Sequence, residues 1–137
     1  MTDYLVDNSV WARLAIGDEA IAARLRRIER APADLFVTCP PQVLEFCHSA
    51  RTPEEHAHYR EQISLGFPLE RAPDESVVLE IQSALWNSGL VRAAGSLDIL
   101  IAGYAILNDA TVLAADHDFD HIARVVELRH EYIAPSS

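Results

Sequence analysis

Apolar residues follow two rhythms along the chain. Short unbroken runs, Tyr4 to Val6, "LFVTC" at 35–39 and "TVLAA" at 111–115, read as buried strands. Between them the spacing turns helical. A short helical run covers Val10 to Ile16. Asp18 can cap a second helix to about Arg30, with Ile21, Leu25 and Ile28 on one face. Pro40 and Pro41 suit a helix start, which "QVLEFCHSAR" continues. Pro53 opens another helix to about Leu65, with Gly66 as its stop. "FPLERA" is a weak strand, Pro68 fitting an edge position. A further helix starts near Pro73 with Val77, Ile81, Ala84 and Leu85 as its buried stripe, and Gly89 ends it. Ser96 then caps "LDILIAGYAILN", apolar nearly all round and therefore buried against a sheet. "DFDHIAR" gives a short helix, and Val125 to Leu128 a last strand.

Strands separated by helices predict an α/β sandwich around a mainly parallel sheet. The chain shows neither an internal repeat nor a linker, so the expectation is a single domain over 1–137. In such folds ligands gather beyond the carboxyl ends of the strands. Asp7 and Asp116 both follow a strand directly. Asp7 can cap the helix after it, or be the first of several acids around a metal. Asp116 repeats that logic and opens "DHDFDH", whose three aspartates exceed what capping requires. Asp98 lies at the second position of the apolar helix if Ser96 is its cap, where the helix dipole favours an acid. Its surroundings are so apolar that the carboxylate must reach a polar edge or be paired. Glu45 shares a helix face with Gln42, His48 and Ser49, and from pattern alone it is a solvated residue.

Composition narrows the chemistry. The formal charge of −10 argues against a broad electrostatic nucleic-acid binder. A nuclease survives that argument, because the acids that hold a cation count against the total while the cation does not. All 11 basic residues are arginine. The absence of lysine removes the P-loop and weakens the lysine-dependent phosphatase folds that also place an aspartate after a strand. Two cysteines, Cys39 and Cys47, without CxxC spacing, read as free thiols in a cytoplasmic protein. The N-terminus lacks the pattern of a signal peptide, and no apolar run is long enough to span a bilayer. Carboxylates converging at a sheet end repel one another. Protonation or a hard divalent cation such as Mg²⁺ or Mn²⁺ compensates, and the latter leads to nuclease chemistry on a phosphate.

With "LVDNSV", "PPQVLEF", "SLDILIAGYA" and "VLAADHDFDHIA" in that order, the chain resembles the PIN domain family, and within it the VapC-type toxins of toxin–antitoxin pairs. The resemblance covers essentially the whole chain. It implies an α/β/α sandwich, a Mg²⁺-dependent endoribonuclease, a small antitoxin that blocks the acidic groove, and a homodimer. The family's four acids fall on Asp7, Glu45, Asp98 and Asp116. It implies Asp7, Asp98, Asp116 and Asp118 toward the metal, Asp118 directly or through water, and Glu45 toward the attacking water. Ser9 matches a supporting small polar position. Where relatives often have "TAD", this chain has Ala114 in "AAD", so a supporting hydroxyl is lost. The alternatives are a catalytically silent PIN-like binding module, or another divalent-metal nuclease or phosphatase. His117 and His121, four apart, offer a weaker zinc pair beside this site. Arg24, Arg26, Arg27 and Arg30 read as a solvated flank, a partner surface or an RNA backbone contact, and Trp11 and Trp86 as core or dimer contacts.

Overall fold

The computed structural model describes residues 1–136. Five strands and seven helices alternate: β1 (Asp3–Val6), α1 (Asn8–Ala15), α2 (Glu19–Arg30), β2 (Leu35–Thr38), α3 (Pro40–His48), α4 (Pro53–Ile63), β3 (Phe67–Pro68), α5 (Glu75–Asn87), α6 (Ser96–Leu107), β4 (Thr111–Ala114), α7 (Asp118–Ala123) and β5 (His130–Tyr132). All strand pairs are parallel, in the order β3-β2-β1-β4-β5.

Strand alternation sorts the core into two layers. On one face Leu5 and Val112 meet Ile81 and Leu85 of α5, Ile101 and Ala105 of α6, and Phe119 and Ile122 of α7. On the other, Tyr4, Val6 and Leu113 meet Val10 of α1 and the Ile21, Leu25 and Ile28 stripe of α2. The result is the three-layer α/β/α sandwich.

β1 is central, and its neighbours set the site. The chain leaves β1 toward β2 on one side and returns as β4 on the other. The order of strands therefore reverses between β1 and β4, and a crevice opens beyond their carboxyl ends. Tyr4, Leu5 and Val6 register with Thr111, Val112 and Leu113, so Asp7 and the residues after Ala114 reach the same edge.

Three sequence expectations need correction. Val125 to Leu128 is not a strand. These residues leave α7 as a turn with Leu128 tucked into the core, and the last strand is the polar His130–Tyr132. An edge strand with half-buried side chains carries no apolar signature. Ser96 is the first helical residue of α6 and Gly95 its cap, which moves Asp98 to the third position. Gly66 does not terminate α4, which ends at Ile63 with Ser64 as cap. Gly66 is small because a Cβ there would lie 2.7 Å from Thr38 Cγ2. Gly89, at φ +76°, does take the left-handed turn expected after α5.

Candidate metal centre

Of the two roles that its position offered, Asp7 fills the first. It is the N-cap of α1, where Oδ2 accepts the backbone N–H of Ser9 at 3.1 Å. Its own N–H donates to Leu113 O at 2.8 Å, which fixes it against β4. The residue is only 4% exposed, and its second oxygen, Oδ1, is buried without a hydrogen-bond partner. A buried carboxylate oxygen left without a donor is costly, and a cation would satisfy it.

The Asp7 carboxylate belongs to a converging set. Asp7, Glu45 and Asp98 each offer a carboxylate oxygen within 4.8 Å of the others. Among the described residues they form the one group of His, Cys, Asp or Glu side chains that meets this spacing. Asp98 is brought there from the first turn of α6, half-buried as its apolar helix demands.

Glu45 arrives by a route the pattern concealed. Gln42 of α3 is 2% exposed. Its Nε2 donates to Val6 O at 2.7 Å, and its Oε1 accepts the N–H of Cys39 at 3.2 Å. This amide stitches α3 to the end of β1. Glu45, three residues on and therefore on the same helix face, is carried to the cluster. Meanwhile Leu44 is exposed. The buried face of α3 is thus partly polar and its outer face partly apolar, which inverts the usual pattern. Gln42 was missed as a functional residue. The signal was its place three residues after the cap position, where a side-chain amide can reach back to the cap N–H.

Asp116 and Asp118 stand beside this trio rather than within its tightest spacing. Asp116 is half-buried, and its Oδ1 accepts the N–H of Asp118 at 3.1 Å. Asp118 is exposed at the start of α7. The Oγ of Ser9 accepts the N–H of Ala115 at 2.9 Å, tying α1 to the end of β4.

The electrostatics follow from this crowding. Burial, then the charges of Asp7, Asp118, Glu45 and Asp116, push the Asp98 carboxyl up to about 8. Burial and then Asp7, Asp116 and Asp118 raise Glu45. Burial also raises Asp116, against the opposing N–H of Asp118. The cluster thus favours protons or a cation over bare charge. An all-oxygen donor set with an unpartnered buried oxygen fits a hard divalent ion that keeps part of its water shell.

The other candidates fall outside the cluster. His117 precedes α7 and turns its Nδ1 to Asp120 Oδ2 at 2.6 Å, and among the described residues neither it nor His121 joins a group of three ligating side chains. Arg24 is engaged by Glu131 and the Tyr4 hydroxyl; Arg26, Arg27 and Arg30 are exposed. Trp11 packs between Phe36 and Phe46, while Trp86 lies at the surface, 40% exposed. No helix among the described residues is long and apolar enough to cross a membrane.

Comparison with known proteins agrees with this architecture. The PIN domain model matches residues 4–125. Ribonuclease VapC21 of Mycobacterium tuberculosis is 31% identical over 135 residues, covering 96% of this chain and 94% of that protein. Ribonuclease VapC11 of the same species is 29% identical over 131 residues, covering 91% and 95%. Among solved structures, VapBC2 from Rickettsia felis bound to a promoter DNA fragment superposes with a TM-score of 0.73 at 17% identity, covering 96% of this chain and 98% of that one. VapBC-1 from nontypeable Haemophilus influenzae gives 0.70 at 20% identity, with the same coverage. The chain belongs to the PIN domain family, with VapC ribonucleases among its relatives.

Proposed function

We propose that this chain is a divalent-metal-dependent endoribonuclease, the toxin of a toxin–antitoxin pair, acting as a single PIN domain in the cytoplasm. The observation that carries the reading is the buried Asp7 carboxylate, one oxygen of it unpartnered, converging with those of Glu45 and Asp98. Asp7 and Asp98 would hold the ion, with Asp116 and Asp118 completing the acidic wall. Mg²⁺ is the ion of choice, with Mn²⁺ as substitute, because an oxygen-only set retains water readily. When bound, the ion supplies charge neutralisation and a Lewis acid for a phosphodiester. Glu45, whose proton affinity burial and its acidic neighbours raise, orients the attacking water and takes its proton. Gln42 and Ser9 hold α3 and α1 to the strand ends, so the carboxylates keep their spacing without rearrangement.

The relatives named VapC ribonucleases support the RNA substrate, and the VapBC structures support an antitoxin partner. A cleft of about 330 Å³ between α1, α2 and α4, lined by Trp11, Leu14, Leu25, Phe36, Ile63 and Leu65, suits an apolar segment of that partner. Trp86 and Leu79, exposed on α5, are candidate contacts for a second copy in a homodimer. The two free cysteines, both buried, suit a reducing compartment.

The test compares wild type with Asp7→Asn on structured RNA, with Mg²⁺, with Mn²⁺ and with EDTA. Cleavage by wild type alone, lost in EDTA, is the expected result. Equal cleavage by both proteins overturns the assignment of the site, and no cleavage by a folded, partner-free sample favours a binding module.

A further inference from the structure

We propose that His117 and Tyr132 form a stacking platform that seats a nucleobase of single-stranded RNA beside the acidic cluster, an inference that rests on the ribonuclease reading above. The two rings lie 4.2 Å apart at 20°, a true face-to-face stack. The His117 side chain is 66% exposed. With one face covered by Tyr132, the exposed surface is the opposite face and the outer edge.

The stack is held rigidly. His117 Nδ1 meets Asp120 Oδ2 at 2.6 Å, and Asp120 Oδ1 meets His130 Nε2 at 2.7 Å. One carboxylate thus clamps the outer ring to β5 through a second histidine. The hydrogen bond from His117, added to that from His130, keeps Asp120 below the usual carboxylate range. An exposed ring fixed on one face and one edge has already lost the freedom that a ligand would otherwise have to remove.

Its location gives the ligand. His117 sits between Asp116 and Asp118 in sequence, and Tyr132 registers with Ala114, the last residue of β4. The platform therefore stands at the rim of the crevice, beside the acids that handle the phosphate. The charge of the chain explains why a base is the group to hold. With 21 acidic against 11 basic residues, affinity for a polyanion cannot come from general attraction to phosphates. Stacking on an aromatic face needs no net positive charge and accepts any base. A duplex hides those faces, so the platform selects single-stranded or looped RNA.

The experiment uses wild type, His117→Ala, His117→Phe and Tyr132→Leu. KM and kcat are measured with Mg²⁺ on short single-stranded RNA of mixed sequence, and Kd by fluorescence anisotropy on the same RNA with Ca²⁺. Losing one stacking contact predicts a rise of about ten-fold in Kd and KM for His117→Ala, with a smaller change in kcat. His117→Phe restores most of the affinity, because it keeps the ring and loses only the clamp. Tyr132→Leu shifts Kd in the same direction as His117→Ala. Unchanged KM and Kd in His117→Ala overturn the platform, as does a Phe variant no better than Ala. A loss confined to kcat with a lowered melting temperature overturns it in favour of a brace for α7. Weakened binding of a protein partner with RNA binding intact overturns it in favour of a protein contact. Wild type that neither binds nor cleaves RNA defeats the ribonuclease reading itself, and the platform with it.

Discussion

Asp7 and Asp18 start as the same device and end as opposites. Both are buried N-cap aspartates, 4% and 8% exposed, with extended backbone and a side-chain oxygen on a first-turn N–H. Asp18 then has every need met. Its Oδ1 accepts from Ile21 N and from Ser136 Oγ, and its Oδ2 from Ser136 N at 2.8 Å. Burial alone would push its carboxyl up, but the donors of Ile21 and Ser136 outweigh it and hold it below its ordinary value. Asp7 has one oxygen satisfied and the other without a donor, in a carboxylate that converges with two more acids. The difference teaches that burial and capping do not mark a functional carboxylate. The mark is a spare oxygen left without a donor among like charges.

Substitution at the two positions separates them most sharply. Asp7→Asn is expected to reduce RNA cleavage to background while the metal-free protein melts no lower than wild type, since a mutual repulsion is removed. A large drop in melting temperature in EDTA would make Asp7 mainly structural. Asp98→Asn should raise the metal-free melting temperature at pH 8 for the same reason.

The pH dependence has opposite signs at the two sites. Asp98 holds its proton more tightly when folded, up to about 8 against an ordinary 3.8. Its contribution to stability is therefore fully present below about 3.8 and lost as pH rises through about 8. Asp18, lowered on folding, contributes above its ordinary value and loses that contribution as pH falls. Thermal melts in EDTA should show stability declining between pH 5 and about 8 in wild type, and less so in Asp98→Asn. Millimolar Mg²⁺ should remove most of that decline by binding the folded state. A flat profile in EDTA would contradict the crowding of the acids.

Smaller effects test the supports. Gln42→Leu breaks two buried hydrogen bonds and should destabilise by about 1–3 kcal/mol, lowering kcat/KM further than the melting shift explains. Asp18→Ala should lower the melting temperature by a few degrees while leaving kcat/KM near wild type, as measured by calorimetry and steady-state cleavage. Ser9→Ala, losing one bond to Ala115, should cost about 1 kcal/mol and change cleavage least.

Much of this architecture was legible in the chain. β1, β2 and β4 are continuous apolar runs because both faces of a parallel strand are covered, and α2 announced itself through Asp18 and its stripe. Asp7 and Asp116 could be placed at strand ends for that reason. Glu45 could not be singled out by pattern, because a buried Gln42 and an exposed Leu44 reverse the expected faces of α3. β5 was displaced because its residues are polar, while the apolar Val125, Val126 and Leu128 pack in a connecting turn. The clamp of Asp120 between His117 and His130 depends on β5 lying beside α7, which no local spacing encodes.

The position of β1 in the middle of the sheet also decides what pins the end that carries Asp7. This strand is made early, yet its partner β4 begins only at Thr111, after Asp7, Glu45 and Asp98 have all been synthesised. Pairings so remote in sequence form late and slowly. A chain cut short before β4 lacks both the Leu113 carbonyl that accepts the Asp7 N–H and the Ala115 N–H that Ser9 receives. The anchoring of the first acid is thus assigned to the last third of the chain.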